Sequence, residues 1–367
     1  MGKKILFLFS DTGGGHRAAT NAMIEAVHRE YPGKYDTQMV DFLRYLPAPF
    51  RHSPELYPPL SRLRMTWKVS YESMNGPMRS RAANNLSYPY VRKAVGRLLD
   101  DNPADLIVSV HPLANTVIPR VMRRDPIPFV TVVTDMVSTH AFWYSPAADL
   151  IIVPTTQAKN RGIRLGIPRK QMQVIGQPVS PAFAALEKTK QELKEELGWG
   201  SPVVLLVGGG DGMGPVRRVA RAIDNSGLPV SLAVICGRNE SLLSELQEYD
   251  WKIPHFIYGF VPDMPRYMKA ADIFVTKAGP GSVSEAFICG LPIIIYSYLP
   301  GQEVGNTDYV LDGGAGTFSP TPSRVVEDIR SLVEDPEYHE EMASASLGLA
   351  RPHAARDIAR TLNSFLD

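Results

Sequence analysis

Cysteine is scarce here, with only Cys236 and Cys289 in 367 residues. Both stand in apolar surroundings at no metal-ligand spacing, so neither a disulfide framework nor a metal site is implied, and the chain reads as the product of a reducing compartment. Long apolar runs are missing too. The first, ILFLF after Lys3 and Lys4, is too short for a signal-peptide core and leads straight into Asp11 and a glycine cluster. No run approaches the ~20 residues of a membrane span, and Leu6 stands where a myristoylation signal wants Ser or Thr. Net charge is almost absent: 39 basic against 38 acidic residues leaves +1, which gives no general reason to expect nucleic acid as a partner. Any membrane contact is therefore peripheral, and electrostatic function has to come from local asymmetry. What is present, 44% hydrophobic and 21% charged residues, suits a globular protein of two domains with a core each.

Lys3–Ser10 reads as a buried strand, Asp11–Gly15 as a glycine turn, His16 to about Tyr31 as a helix and Thr37–Asp41 as a second strand. That order is a βαβ unit, which makes a doubly wound parallel sheet the expected architecture, with its ligand edge at the strand C-termini. Gly13, Gly15 and Ala18 fit the fingerprint G-x-G-x-x-A, and Asp41 ends the second strand, so a nicotinamide-dependent dehydrogenase is a rival reading. Against it, Gly14 and Gly15 are followed at once by His16 and Arg17. An imidazole at a helix N-terminus has its cation disfavoured by the dipole and is poised as a neutral base.

Arg44–Arg97 interrupts the α/β rhythm. Ten basic residues, Arg62, Arg64 and Lys68 among them, face two acids, Glu55 and Glu72; ten minus two is +8, which leaves −7 for the rest of the chain. Tyr45, Phe50, Tyr57, Trp67, Tyr71, Tyr88 and Tyr90 are interleaved with the charge, a mixture suited to insertion beside anionic lipid. Single-stranded nucleic acid would suit the same surface, and an irregular insertion with aromatics packed on the sheet and arginines in solvent is the bland reading. The rhythm then resumes, with His111, Asp135 and His140 following strand ends at the ligand edge. Gly176–Phe183 reads as a linker.

The second half restarts with a helix near Thr189–Leu197, a strand Pro202–Val207 and the loop Gly208, Gly209, Gly210, Asp211, Gly212, Met213, Gly214 before a helix. Gly259, Phe260 and Val261, between a strand and a helix, offer backbone groups to a planar base. Thr276–Asn306 combines a strand end with Lys277, a turn with Gly279, Pro280 and Gly281, a helix opening at Ser282 and Val283, and a polar loop carrying Gln302, Glu303 and Asn306. Glycine lets backbone approach a phosphate, the helix end points N–H groups and positive dipole at it, and Glu285 one turn further in reaches ribose hydroxyls. Two Rossmann-like halves, each with a phosphate-friendly loop facing an interdomain cleft, have the layout of a transferase: residues 1–180 for the acceptor with the insertion 44–97, 181–350 for a nucleotide-sugar donor, and 351–367 as a terminal helix packing back on the first domain.

The segments SDTGGGHRAATNA (Ser10–Ala22), SVHPL (Ser109–Leu113), VVTD (Val132–Asp135), VGGGDGMGP (Val207–Pro215), ICGRN (Ile235–Asn239) and TKAGPGSVSEAFICGLPIIIYSYLPGQEVGN (Thr276–Asn306) resemble the monogalactosyldiacylglycerol synthases of photosynthetic membranes. Bacterial diacylglycerol glucosyltransferases and, more distantly, MurG-type enzymes belong to the same group. The resemblance runs through nearly the whole chain. It implies a GT-B fold and inverting, metal-independent transfer of a hexose from UDP-galactose or UDP-glucose to diacylglycerol, with no tightly bound cofactor. His16 matches the family's general base; Asp135 and His140 match acceptor-side positions. Glu285 would bind ribose, Ser282 and its neighbours the phosphate, Gly259 and Phe260 the uracil region, Gly237 and Arg238 the donor side, and Gln302, Glu303 and Asn306 the hexose. Asp211 stands where the family often has Glu. The GQEVGN loop favours galactose. With the first strand starting at once, a bacterial, cytoplasmic, membrane-attached enzyme is expected. A lipid transferase with another acceptor and a non-catalytic nucleotide-sugar sensor are the alternatives.

Overall fold

A computed structural model describes residues 2–12, 14–53, 55, 63–200, 202–210, 212 and 214–367, with the side chains of Arg64 and Arg124 left aside. Gly13, Tyr57, Arg62, Asp211 and Met213 therefore lie outside the described residues. The chain forms two compact units: Met1–Pro181 with Leu299–Gly305 and His353–Asp367, and Ala182–Tyr298 with Asn306–Pro352.

The first unit is built on six parallel strands, β1 (Lys3–Phe9), β2 (Tyr35–Asp41), β3 (Leu106–Ser109), β4 (Phe129–Val132), β5 (Leu150–Val153) and β6 (Met172–Val174), in the order β2-β1-β3-β4-β5-β6. In β1, Ile5 to Phe9 are all buried, because helices cover both faces of a parallel sheet and leave no polar alternation to read. One face packs on Leu98, Ile118 and Trp143, the other on Ala22, Met23, Ile358 and Leu362. The last two come from the terminal helix Ala354–Asn363, whose Arg360 also reaches Glu30 at 2.7 Å.

The second unit repeats the plan with β7 (Val203–Val207), β8 (Ser231–Ile235), β9 (His255–Tyr258), β10 (Ile273–Lys277), β11 (Ile293–Ser297) and β12 (Gly316–Phe318), ordered β12-β11-β10-β7-β8-β9, all parallel. Its helix Lys190–Leu197 opens with a reciprocal cap between Thr189 and Glu192. Strand order reverses between β1 and β3 in one sheet and between β7 and β10 in the other, the positions where open α/β sheets hold ligands beyond their C-terminal ends.

Within Arg44–Arg97 the structure departs from the irregular reading. Arg64–Met74 is a helix, and Pro77–Asp101 is a 25-residue helix that starts on Pro77 and carries Pro89 inside. Its second half buries Val91, Ala94, Val95 and Leu98, whereas Met78, Leu86 and Tyr90 are exposed.

Candidate functional site

In the first unit the reversal point gathers three aromatic side chains. His16 sits in the first turn of the helix Gly15–Glu30, whose cap Gly14 has φ 77, a conformation that suits glycine. Its Nδ1 meets Thr134 Oγ1 at 2.8 Å, and its ring centroid lies 5.2 Å from His111 and 5.9 Å from Trp143. The tautomer that leaves Nε2 bare for a proton is the one in which Nδ1–H donates to Thr134. Burial pushes the His16 imidazole down to about 4. Neutrality was expected from the helix dipole, and burial of the ring adds desolvation as a cause. His111, just past β3, is buried with Nδ1 unpartnered, and burial followed by the neighbouring His16 holds it well below the usual histidine value.

Arg17 does not face an acceptor as a loose cation. It donates to Asp11, at 2.6 Å through Nε, and lies over the Phe9 ring. Asp41 accepts from the Leu43 amide at 3.0 Å, so the carboxylate at the end of the second strand that favoured the dehydrogenase reading serves as a local cap.

Asp135 and His140 lie on the loop after β4. Asp135 accepts from Trp143 Nε1–H at 2.6 Å and from Gln302 Nε2–H at 3.2 Å; burial raises its carboxyl to about 6 against the pull of those two hydrogen bonds. His140 is fixed on both sides: Nδ1 accepts from the Phe142 amide at 3.1 Å, and Nε2 donates to the Tyr71 carbonyl at 3.2 Å. Burial lowers it to about 4. With Tyr71 Oη–H donating to the Ser138 carbonyl at 2.8 Å, these bonds tie the loop to the helix Arg64–Met74. His140 is thus a strut in this unit. Of the remaining predicted surface residues there, Trp67 is half-buried, while Lys68 is exposed with Glu72 at 4.0 Å.

In the second unit the loop after β7 and the turn after β8 interlock. Gly209, Gly212 and Gly237 have φ 74, 56 and 60, and the Arg238 amide donates to the Gly210 carbonyl at 2.9 Å. A Cβ on Gly208 would lie 2.8 Å from the Gly212 carbonyl carbon, so two backbones meet where no side chain fits. Two cations border the loop: a Cβ on Gly209 would be 3.2 Å from Lys277 Cε, and one on Gly210 3.6 Å from an Arg238 guanidinium nitrogen.

At the end of β10 the helix Pro280–Ile288 begins without a side-chain cap on Gly279, and a Cβ on Gly281 would meet nothing within 4 Å. Ser282 and Glu285 are partly buried, and burial pushes the Glu285 carboxyl up to about 7. Val283 is fully buried and packs into the core, so it does not line a ligand surface. After β9, Gly259 and Val261 are partly buried and the Phe260 ring is 62% exposed.

The GQEVGN loop divides its residues. Gln302 and Glu303 group with the first unit; Glu303 is buried and accepts from the Leu299 amide at 2.8 Å. Asn306 groups with the second, donates to the Ala278 carbonyl at 2.9 Å and keeps a buried Oδ1 without a partner. Sequence reasoning missed Thr134 and Trp143, although Thr134 stands inside the VVTD segment. Among the described residues no group of three His, Cys, Asp or Glu side chains forms a candidate metal centre.

Residues 16–179 match the model of the monogalactosyldiacylglycerol (MGDG) synthase family, and residues 189–347 that of glycosyl transferases group 1. The chain is 36% identical over 379 residues to the probable monogalactosyldiacylglycerol synthase, chloroplastic, of Glycine max, covering 99% of this chain and 72% of that protein. It is 36% identical over 383 residues to monogalactosyldiacylglycerol synthase 1, chloroplastic, of Arabidopsis thaliana, covering 99% and 71%. This chain belongs to the monogalactosyldiacylglycerol synthase family. The chain's fold is also that of solved structures at low identity: S. aureus MnaA with UDP, TM-score 0.64 at 12% identity over 99% of this chain and 97% of that one, and Acinetobacter baumannii MurG, TM-score 0.61 at 15% identity over 99% of each. The GT-B architecture expected from the sequence is therefore present.

One expectation is overturned. A bacterial, cytoplasmic source was inferred from the first strand starting at once, yet these relatives of the chain are plant enzymes named as chloroplastic. The position of a first strand reports the start of a fold and carries no information about the compartment. No helix among the described residues is long and apolar enough to cross a membrane.

Proposed function

We propose that this synthase transfers galactose from UDP-galactose to the free hydroxyl of 1,2-diacylglycerol, with inversion to a β-galactoside. The observation that carries the mechanism is His16, a neutral imidazole with Nδ1 held by Thr134 at a sheet reversal point. In this reading Nε2 takes the proton of the acceptor hydroxyl as its oxygen attacks the anomeric carbon from the face opposite UDP. The bond from that carbon to the phosphate oxygen breaks, and the charge on departing UDP is met by the first-turn amides of Pro280–Ile288, by Lys277 and by Arg238. No bound cation is invoked in that step. Glu285 hydrogen-bonds the ribose, Phe260 flanks the uracil, and Asn306, with its unpaired buried oxygen, receives a hexose hydroxyl. Asp135 and Gln302 position the loop beside Trp143.

The acceptor is a lipid, and the segment 44–97 suits a membrane surface. Met65, Val69, Met78, Leu86 and Tyr90 are exposed among Arg79, Arg81, Arg92, Lys93 and Arg97. Binding to phosphatidylglycerol-containing liposomes should be salt-sensitive and exceed binding to phosphatidylcholine liposomes; equal binding to both removes the electrostatic account. The reaction itself is tested by supplying diacylglycerol with labelled UDP-galactose or UDP-glucose in parallel. A labelled monogalactolipid is expected. Label transferred from UDP-glucose alone overturns the donor assignment, and none from either overturns the transferase.

A further inference from the structure

We propose that the first unit carries a separate phosphate-binding cavity, outside the groups that handle donor and acceptor. A cavity of about 370 Å³ opens between the helix Pro77–Asp101 and the helix Ala114–Val121. Its lining holds three arginines, Arg81, Arg120 and Arg123, and no carboxylate. Among the described residues none of the three forms an ion pair with an acid. Three like charges around one hollow repel one another unless an anion fills it. One of them is also held in place: the Arg120 guanidinium lies 3.7 Å from the Tyr88 ring centroid and its Nη1 donates to Asn85 Oδ1 at 3.0 Å. The cation is therefore oriented before any ligand arrives, which is the arrangement that gives a guanidinium most of its value toward an oxyanion. Thr116 lines the same cavity with a buried Oγ1 that has no partner, a donor waiting for an acceptor.

A phosphate group fits this set better than a carboxylate. It presents three oxygens in three directions and up to two negative charges, against three guanidiniums and a hydroxyl. The group can arrive on a small soluble molecule or on a lipid headgroup, since Met78 and Leu86 on the same helix are exposed apolar side chains.

The test uses the full chain with UDP held at saturation, so that the donor groups cannot respond. sn-Glycerol 3-phosphate is titrated by calorimetry into the wild type, Arg120→Gln and Arg81→Gln/Arg123→Gln. In a second arm the same proteins bind phosphatidylglycerol vesicles against phosphatidylcholine vesicles. Each guanidinium removed should weaken binding by about tenfold or more in the arm that supplies the ligand. Loss in the soluble arm identifies a free phosphate ester, and loss in the vesicle arm alone identifies a headgroup where Arg120→Gln shows it, because Arg81 also belongs to the membrane-facing segment whereas Arg120 does not. If the variants match the wild type in both arms while UDP still stabilises all of them equally, the cavity is not a phosphate site.

Discussion

Replacing His16 with alanine separates catalysis from donor binding. A general base contributes about 10² to 10⁴ in rate, so turnover of His16→Ala with UDP-galactose and diacylglycerol should fall by that amount. The structural side effect can be sized separately. Removing the ring leaves Thr134 Oγ1, on a residue 3% exposed, without its partner at 2.8 Å, a penalty of about 1–3 kcal/mol for a buried hydroxyl. For a unit of this size that lowers the melting temperature by about 2–4 °C per kcal/mol, which leaves a folded protein at the assay temperature. The groups assigned to UDP all lie elsewhere in the chain, on the loops after β7, β8, β9 and β10, so calorimetric UDP affinity should be unchanged. Product formation at the wild-type rate, or a loss of UDP affinity in step with the loss of turnover, would refute the assignment.

The same residue fixes a pH dependence. A base must be neutral to act, and His16 titrates at about 4, against 6.5 for a free histidine. The acid limb of kcat/KM should therefore fall near pH 4, with activity flat through the range where an ordinary histidine charges. Between pH 6.5 and 4 the unfolded chain binds a proton at this position that the folded chain refuses, so His16 lowers stability as pH falls through that window. An acid limb at 6.5 would mean that the imidazole is solvated in the working enzyme.

Asp135→Asn should remove a pH-dependent stability term: the folded carboxyl is raised from 3.8 to about 6, so the wild type loses stability as pH rises through that window and then levels off, by about 3 kcal/mol at most. Melting curves between pH 4 and 7 should be flatter for the variant than for the wild type, and parallel curves would contradict a buried carboxylate there. Gly237→Ala puts a Cβ 2.8 Å from the Gly210 carbonyl carbon at φ 60, which should force the two glycine loops apart and weaken UDP binding at least tenfold without unfolding the second sheet; unaltered affinity measured by calorimetry would remove these loops from the donor site. Ile358→Ala empties a fully buried position under the helix that carries His16 and should cost about 2–5 kcal/mol by denaturant titration, and a cost below 1 kcal/mol would mean that the terminal helix is dispensable to the core.

Both sheets were legible because their strands are buried on two faces and read as unbroken apolar runs, ILFLF and VVLLV among them, with glycine at the loops that follow β1, β7 and β10. Segment 44–97 was not. Seven prolines from Pro47 to Pro89 argue locally against helix, yet Pro77 sits at a helix start, where its missing N–H costs nothing, and the buried stripe Val91, Ala94, Val95 and Leu98 holds the later turns despite Pro89.

What could not be read at all are partnerships made by the chain's long-range closure. Thr134 meets His16 across 118 positions, and Gln302 meets Asp135 across 167. In the sequence the GQEVGN loop belongs to the strand it follows, β11, and all its polar residues look equivalent. In the fold Glu303 closes a local turn, Gln302 answers to the carboxylate beside Trp143, and Asn306 keeps an unpaired buried oxygen. A buried acceptor with no partner costs free energy in the empty protein and repays it when a hydroxyl donates to it. The difference between galactose and glucose is the direction of one hydroxyl, so discrimination in this chain should rest on Asn306 more than on Glu303, whose oxygen is already engaged. Asn306→Ala should thus narrow the ratio of kcat/KM for UDP-galactose over UDP-glucose while leaving affinity for UDP itself alone. An unchanged ratio would move hexose selection to another residue.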